Sequence, residues 1–442
     1  MQPNVLVVMS DQQRPDSCGV FGQRLPVTPV LDALAARGTA HEHAFTVQPV
    51  CGPARAALQT GRYPTEVGCW RNGLALPPGT ETAATRLGAL GYRTGYVGKW
   101  HLATDRGPAL PAGRTAARHE KGPVPPERRG GYQDVWVAAD ALELTSRPYR
   151  GHLYDEHGDQ VQLEGYRVDA VTDVAIDRLQ RLGRDRPFLM WVSYLEPHHQ
   201  NDRLRVVGPK GTAAQFADFD LPGDLSRWRG DWRWNYAEYL AACHRIDHNL
   251  GRLLDALQQD GRLDDTLVVF TSDHGNHFRT RNAEYKRSPH DASIRVPLVL
   301  AGPGVPAGVR RTDLVTHLDV VPTLVHAAGG TTDLPGTPLQ LSADRDDVLV
   351  QISESQVGRA LRTRTHTLAV AAPRGRPFGG HLAPAADRYR VTHLYDNVAD
   401  PHQQQNLAQD PSVRTLRDEL VDQLRDRIEL VEGTRPQVEL DR

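Results

Sequence analysis

Asn4-Val5-Leu6-Val7-Val8-Met9-Ser10-Asp11-Gln12 is an apolar run that ends in an acid and an amide. It predicts a strand over Asn4–Ser10 with a reactive side chain waiting at its carboxyl end. Similar short runs alternate with helical patterns along most of the chain. That alternation points to an α/β fold, a mainly parallel sheet with helices on both faces. A helix follows the first strand, with Thr28 as N-cap, Pro29 at the first helical position and Gly38 as the stop. Pro53 suits the first turn of a helix running to about Gln59, which puts Cys51 at its N-terminal end.

Further helices are expected near Glu81–Leu90, Val168–Leu182, Tyr236–Leu257 and Leu318–Ala327. Strands are expected near Arg93–Val97, Phe188–Tyr194, Thr266–Ser272 and Val296–Ala301. Gly107–Gly131, rich in Gly, Pro and Arg and without a clear period, reads as a loop or lid. After about Pro335 the pattern changes. Val348–Ser353, Arg359–Val370 and Val391–Tyr395 read as strands of a small antiparallel sheet, with Pro411–Leu430 as a closing helix. The expected division is a catalytic domain over residues 1–335 and an α+β subdomain over 336–442.

In an open parallel sheet, ligands bind outside the carboxyl ends of the strands. Asp11 follows the first strand, and Lys99 and His101 follow the strand ending near Val97. His198 follows Phe188–Tyr194, and Asp273 and His274 follow Thr266–Ser272. Residues far apart in the chain are thus expected to converge on one rim.

Bulk properties narrow the class. The 442 residues carry a net charge of −2, which gives no reason to expect nucleic acid or an acidic membrane as partner. No apolar run approaches a membrane span. Met-Gln-Pro-Asn enters the first strand at once without a basic leader or cleavage site, so the cytoplasm is the expected compartment. Four cysteines, Cys18, Cys51, Cys69 and Cys243, show no zinc spacing and are too few for a disulfide scaffold. The 52 basic residues include only four lysines, Lys99, Lys121, Lys210 and Lys286. In so arginine-rich a chain, a lysine beside a motif hints that a compact ammonium is needed there.

Cys51-Gly52-Pro53-Ala54-Arg55, followed by Thr60-Gly61-Arg62-Tyr63-Pro64, is the most informative motif. A thiol at a helix N-terminus is favoured as an anion, and the same end attracts sulfate or phosphate. A lone cysteine is usually an inert buried thiol. Here the proline two residues later, the arginine four later and the Thr-Gly-Arg sequel resemble the nucleophile signature of the sulfatases. Ala54 and Gln59 stand where that pattern often has Ser and Leu.

The resemblance extends over most of the chain. It implies an alkaline-phosphatase-like core, with a formylglycine-generating enzyme as the partner that oxidises Cys51. Asp11-Gln12 and Asp273-His274-Gly275 resemble the two halves of the sulfatase cation site. With Cys51, these residues imply Ca²⁺, or Mg²⁺ or Mn²⁺, on hard oxygen ligands. A strand-end aspartate alone more often caps the next turn; both pairs together with Cys51 reverse that reading. Many sulfatases have a second Asp where this chain has Gln12, and Gln there is similar to phosphonate monoester hydrolases of the same superfamily.

The segment Gly98-Lys99-Trp100-His101 matches the family's anion clamp, with Pro197-His198 and Lys286 as its other members. Singly, each would pass for a solvated lysine or a satisfied histidine. By the resemblance, Arg55 polarises the hydrated aldehyde made from Cys51, and one of its hydroxyls attacks sulfur. Lys99, His198 and Lys286 neutralise the sulfuryl oxygens, and His198 or Lys286 protonates the leaving alcohol. His101 receives the proton when sulfate is expelled. Asn72, His199, Asn201 and His290 are candidate substrate contacts, and Glu354 and Arg359 are candidates to project into the cleft. His41 and His43, two apart on one segment, read as packing or surface residues. Leu394-Tyr395-Asp396, Asp400-Pro401 and Asn406-Leu407 resemble the segment that closes sulfatase C-terminal subdomains.

The expected function is hydrolysis of sulfate esters of a carbohydrate or other small organic molecule. Two alternatives stay open. One is a phosphonate monoester or phosphodiester hydrolase using the same apparatus, suggested by Gln12 and Asn72. The other is a non-catalytic binding protein that keeps the fold.

Overall fold

The computed structural model describes residues 2–107, 110–200, 203–227, 229–342, 344–373 and 382–439. The first sheet contains β1 (Asn4–Asp11), β2 (Gly38–Phe45), β3 (Arg93–Lys99), β4 (Val135–Ala139), β5 (Ser146–Arg147) and β6 (Arg150–Tyr154). It continues with β7 (Gln160–Glu164), β8 (Phe188–Pro197), β9 (Thr266–Ser272), β10 (Leu298–Ala301) and β11 (Val309–Thr316). Their order is β11-β2-β10-β9-β1-β8-β3-β4-β6-β5, with β7 paired to β6. The centre, β9-β1-β8-β3-β4, is parallel throughout. Strand β10 runs antiparallel to both β9 and β2, and β11 rejoins β2 in parallel.

The helices are α1 (Pro29–Ala36), α2 (Cys51–Thr60), α3 (Ala83–Ala89), α4 (Leu142–Thr145) and α5 (Arg167–Arg181). They continue with α6 (Gly223–Ser226), α7 (Trp232–Gln259), α8 (Asp291–Ile294), α9 (Val320–Ala327) and α10 (Arg414–Glu432). The pleat of β1 sends alternate side chains to opposite layers. Val5, Val7 and Met9 pack with α2, α3 and α9, whereas Leu6 and Val8 pack with α1, α5 and α7. Both faces of the strand are therefore dry, which is why its sequence shows no polar alternation. Each such Val or Leu contributes about 1.5–3 kcal/mol over an exposed one.

Register then builds the rim. Asp11 lies opposite Pro197, and Ser10 lies opposite Ser272, so β1, β8 and β9 end level with one another. Strand β3 comes close to β8 through Gly98, where φ is +112° and an added Cβ would fall 1.9 Å from the Ser193 carbonyl oxygen. Only glycine fits there, and Lys99 follows it directly.

The second sheet contains β12 (Asp347–Ile352), β13 (Gly358–Thr363), β14 (His366–Ala371), β15 (Arg388–Asp396) and β16 (Gln437–Glu439). The first four pair antiparallel and β16 joins β15 in parallel. One face, with Leu349, Leu361 and Leu368, packs on Leu424 of α10. The other, with Val348, Val350 and Ile352, packs on Phe45 and Leu314 of the first sheet. The single strand expected over Arg359–Val370 is a hairpin instead. Thr363 Oγ1 accepts the His366 backbone N–H at 2.9 Å and turns the chain at Arg364-Thr365. Between Gly107 and Gly131 the described residues form no strand or helix beyond the 3₁₀ turn Pro126–Arg128. Among the described residues, no helix is long and apolar enough to cross a membrane.

Both sheets bury histidines as neutral rings. Burial pushes His41 on β2 and His393 on β15 down to about 4 from an ordinary 6.5. The unfolded chain therefore binds more protons below pH 6.5, so the stability these rings contribute is full above 6.5 and is lost as pH falls towards about 4. The thermal midpoint should drop between pH 6.5 and 5. In His41→Asn that slope should be shallower; an unchanged slope would refute the assignment.

Candidate active site

Helix α2 begins at Cys51, after Val50 in extended conformation, and every one of its ten residues is buried. Pro53 in its first turn lacks an N–H that would have no partner in the helix anyway. Gly52 lets its backbone N–H reach Asn72 Oδ1 at 2.9 Å; a Cβ there would crowd that oxygen at 3.0 Å. One turn later, Arg55 runs inward beneath the nucleophile position. It donates to Asp11 Oδ2 (3.1 Å), Asp273 Oδ2 (3.2 Å), the Lys99 carbonyl (2.7 Å) and Ser193 Oγ (2.8 Å).

Around the Cys51 Sγ stand Lys286 Nζ at 2.8 Å, His274 Nε2 at 3.3 Å and Asp11 Oδ1 at 3.6 Å. Lys286 Nζ also reaches His274 Nε2 at 3.2 Å and His198 Nε2 at 3.3 Å. Lys99 Nζ lies 2.8 Å from Asp11 Oδ2 and 3.3 Å from Glu143 Oε2. His101, two residues past Lys99, is held at φ +64°. The residues expected at the rim thus meet around one sulfur atom.

Their charges shift one another. Burial alone would raise the Cys51 thiol, but Lys286, Lys99 and His274 outweigh it and hold the thiol well below its ordinary value. Cys69 shows the opposite case, pushed up to about 12 by burial. Burial and Cys51 push Asp11 up; Lys99, His198 and Arg55 overcome them and leave it an anion. Burial and the like charge of Asp11 raise Asp273. Two neighbouring carboxyls driven apart in this way mark a site arranged for charge chemistry.

The same atoms fit a divalent cation. Ligand atoms of Asp11, Cys51, Asp273 and His274 lie within 4.8 Å of one another. Gln12 is held at φ +73°, with its N–H on Asp273 Oδ1 at 3.0 Å and its carbonyl accepting from Tyr239 Oη at 3.0 Å. Its side-chain amide is buried with neither Oε1 nor Nε2 hydrogen-bonded. An orphaned amide oxygen beside two carboxylates suits a hard cation.

The remaining candidates separate. His199 stacks between His198 and Tyr285, with 4.2 Å between centroids on each side, so it lines the wall behind the clamp. His290 is buried against the second sheet, sharing a 3.0 Å hydrogen bond with Tyr395 Oη. Arg359 is occupied by Glu432 and the Pro384 carbonyl, away from the cleft. Asn201 lies outside the described residues. His41 is buried on β2, apart from the donor cluster. Glu143 and Ser193 were not anticipated. Ser193 left a trace as the polar break in Phe188-Leu189-Met190-Trp191-Val192-Ser193, whereas nothing in the sequence singles out Glu143.

Comparison with known proteins decides what this centre belongs to. The chain matches the family described as Sulfatase over residues 3–330. An ulvan-active sulfatase of Formosa agariphila is 30% identical over 450 residues, covering 95% of this chain and 80% of the relative. The chain belongs to the sulfatase family. As a sulfatase it is an enzyme, and its mixed α/β architecture is that of its structural neighbours. A solved structure in complex with its substrate D-glucosamine-2-N,6-O-disulfate superimposes with a TM-score of 0.77 at 21% identity, covering 99% of both chains. A phosphonate monoester hydrolase of Agrobacterium radiobacter superimposes at 0.66 with 20% identity, over 96% and 94% of the two chains. At those identities the two structures speak for the fold alone.

Proposed function

We propose that this sulfatase hydrolyses sulfate esters of a carbohydrate or another small organic molecule, with the side chain of residue 51 as nucleophile. The supporting observation is the convergence of Lys99, His198, Lys286 and Arg55 with an oxygen-rich donor set on that one position. The names of two relatives lend weight to a sulfated saccharide: one acts on ulvan, and one neighbour holds a disulfated glucosamine. Residues 1–335 would form the catalytic unit and 336–442 its subdomain. A formylglycine-generating enzyme would convert Cys51 during maturation.

Asp11, Gln12, Asp273, His274 and residue 51 would hold the cation, Ca²⁺ or else Mg²⁺ or Mn²⁺, which hard oxygens suit. Bound there, a divalent cation supplies Lewis acidity to an oxygen on residue 51. The hydrate of the aldehyde form of that residue, made by addition of water, would supply a hydroxyl nucleophile in place of the thiol. Arg55, fixed at four points, keeps the two aspartates apart and in register. Lys99 and Lys286 face the position of the sulfuryl oxygens as point charges. His198 Nε2, beside Lys286 Nζ, is placed to give a proton to the leaving alcohol, and His101 to take one from residue 51.

Gln12 favours a second reading, because Gln at this position resembles the phosphonate monoester hydrolases of the same superfamily. Rates on 4-nitrophenyl sulfate and on an aryl phosphonate monoester test the choice. The sulfate ester should show the higher kcat/KM. Dominant phosphonate turnover would reject the first reading, and no turnover of either by converted enzyme would favour the non-catalytic one.

A further inference from the structure

Lys286 reaches the nucleophile from a loop with no regular structure, so something must hold it. The next residue, Arg287, sits at φ +63°, a conformation that a non-glycine residue adopts only when its surroundings impose it. Its N–H donates to the Pro49 carbonyl at 3.2 Å, two residues before Cys51. Its carbonyl accepts from Ser355 Oγ at 2.8 Å, and its guanidinium donates to Glu354 Oε2 at 2.6 Å. The guanidinium also pairs with Glu284 of its own loop, and two of these four anchors come from the turn that leaves β12 in the second sheet.

That turn reaches the nucleophile from the other side as well. Glu354 Oε1 accepts the Asn72 N–H at 2.7 Å, and Asn72 Oδ1 accepts the Gly52 N–H. Ser353 Oγ accepts from Gln48 Nε2 at 2.7 Å, and the same nitrogen donates to the Trp70 carbonyl. Glu354 itself has φ +66°. A closed circuit results: Cys51-Gly52 to Asn72, to Glu354, to Arg287-Lys286, and from Lys286 Nζ back to Cys51.

We propose that Glu354, through this circuit, is a positioning residue that sets the distance between Lys286 and residue 51, so that the second sheet completes the oxyanion centre of the first. Both carboxylate oxygens of Glu354 are engaged within the protein. Its role therefore differs from that of a substrate contact. The inference rests on the reading of Lys286 as an oxyanion-holding group.

The test uses the calcium-loaded, Cys51-converted enzyme and calorimetric titration with inorganic sulfate, a ligand too small to reach any saccharide subsite. Lys286→Ala should weaken sulfate binding most. Glu354→Ala should weaken it roughly tenfold, since a charge-assisted anchor is removed. Glu354→Gln keeps an acceptor for Asn72 but loses the charge facing Arg287, so it should fall between wild type and alanine. If the alanine variant fails to fold, the glutamine variant carries the comparison, with its thermal midpoint as control. Wild-type sulfate affinity in the folded Glu354 variants, with Lys286→Ala impaired, overturns the inference. Wild-type affinity in Lys286→Ala overturns the reading of the site on which it rests. On the expected outcome, kcat for 4-nitrophenyl sulfate falls in Glu354→Ala by a factor similar to the affinity loss, and Glu354→Gln partly restores it.

Discussion

Cys51→Ala should abolish turnover, lowering kcat by roughly 10⁵-fold or more, the scale on which enzymes lose a nucleophile. The substitution leaves Asp11, Asp273, Lys99 and Lys286 in place, so the fold should persist with a modest change in thermal midpoint. Relative to unconverted protein, the substitution also removes the sulfur 2.8 Å from Lys286, a thiol that its neighbours hold well below its ordinary pKa. Mass spectrometry of the peptide containing residue 51 separates the chemistry from the fold. Active wild-type protein should show a loss of about 18 Da at Cys51, where the SH and one hydrogen of the side chain are replaced by a carbonyl oxygen, whereas oxidation at sulfur adds mass. Activity in protein that carries only the thiol would remove the conversion from the mechanism, and activity in the alanine variant would remove residue 51.

Asp11→Asn should be the most damaging isosteric change. Asp11 sits fully buried between Lys99 at 2.8 Å and Arg55 at 3.1 Å. Taking away its charge leaves two buried cations short of a counter-ion, a loss of about 3–5 kcal/mol. That is a large fraction of the stability of an ordinary domain. Activity should vanish as well, because the donor set loses a carboxylate. The double variant Asp11→Asn, Lys99→Met distinguishes the two effects. Stability should partly return, since the buried ammonium that keeps Glu143 but has lost Asp11 is gone, while calcium binding and turnover should not. Thermal melts and calcium titrations measure both arms. A single variant as stable as wild type would contradict the burial and pairing described for Asp11.

The strands that carry chemistry were legible because they are buried on both faces and end in reactive residues. Asn4–Asp11 and Thr266–Ser272 are continuous apolar runs, and both lie at the centre of the sheet. Strand β2 was missed because Gly38-Thr39-Ala40-His41-Glu42-His43 reads as polar, although β10 and β11 cover both its edges. The hairpin of β6 and β7 escaped for the same reason: its outward residues, Arg150, Gln160 and Glu164, are exposed and charged or amidic.

At the site, residues adjacent to strand ends could be placed from the sequence, since sheet topology alone carries them to one rim. Lys286 could be placed only by its motif. The turn at Glu354 and the ion pair from Glu143 to Lys99 depend on contacts between residues distant in the chain, which leave no local pattern. His290 shows the converse error. It neighbours the right segment, yet α8 turns it towards Tyr395 and away from the sulfur.

The turn at residues 353–355 also gives the chain a schedule. Synthesis runs from the N- to the C-terminal side, and the strands that carry Asp11, Lys99, His198 and Asp273 have all emerged well before this turn. Domains fold as their segments become available. The first sheet and its nucleophile helix therefore have their own core to form around while the last fifth of the chain is still being made. Ser353, Glu354 and Ser355 arrive afterwards, and their strand is secured only when β13 to β15 have paired beside it. The growing chain passes through a stage that holds the reactive residues but has not yet closed the circuit around them, and the finished centre needs the second sheet.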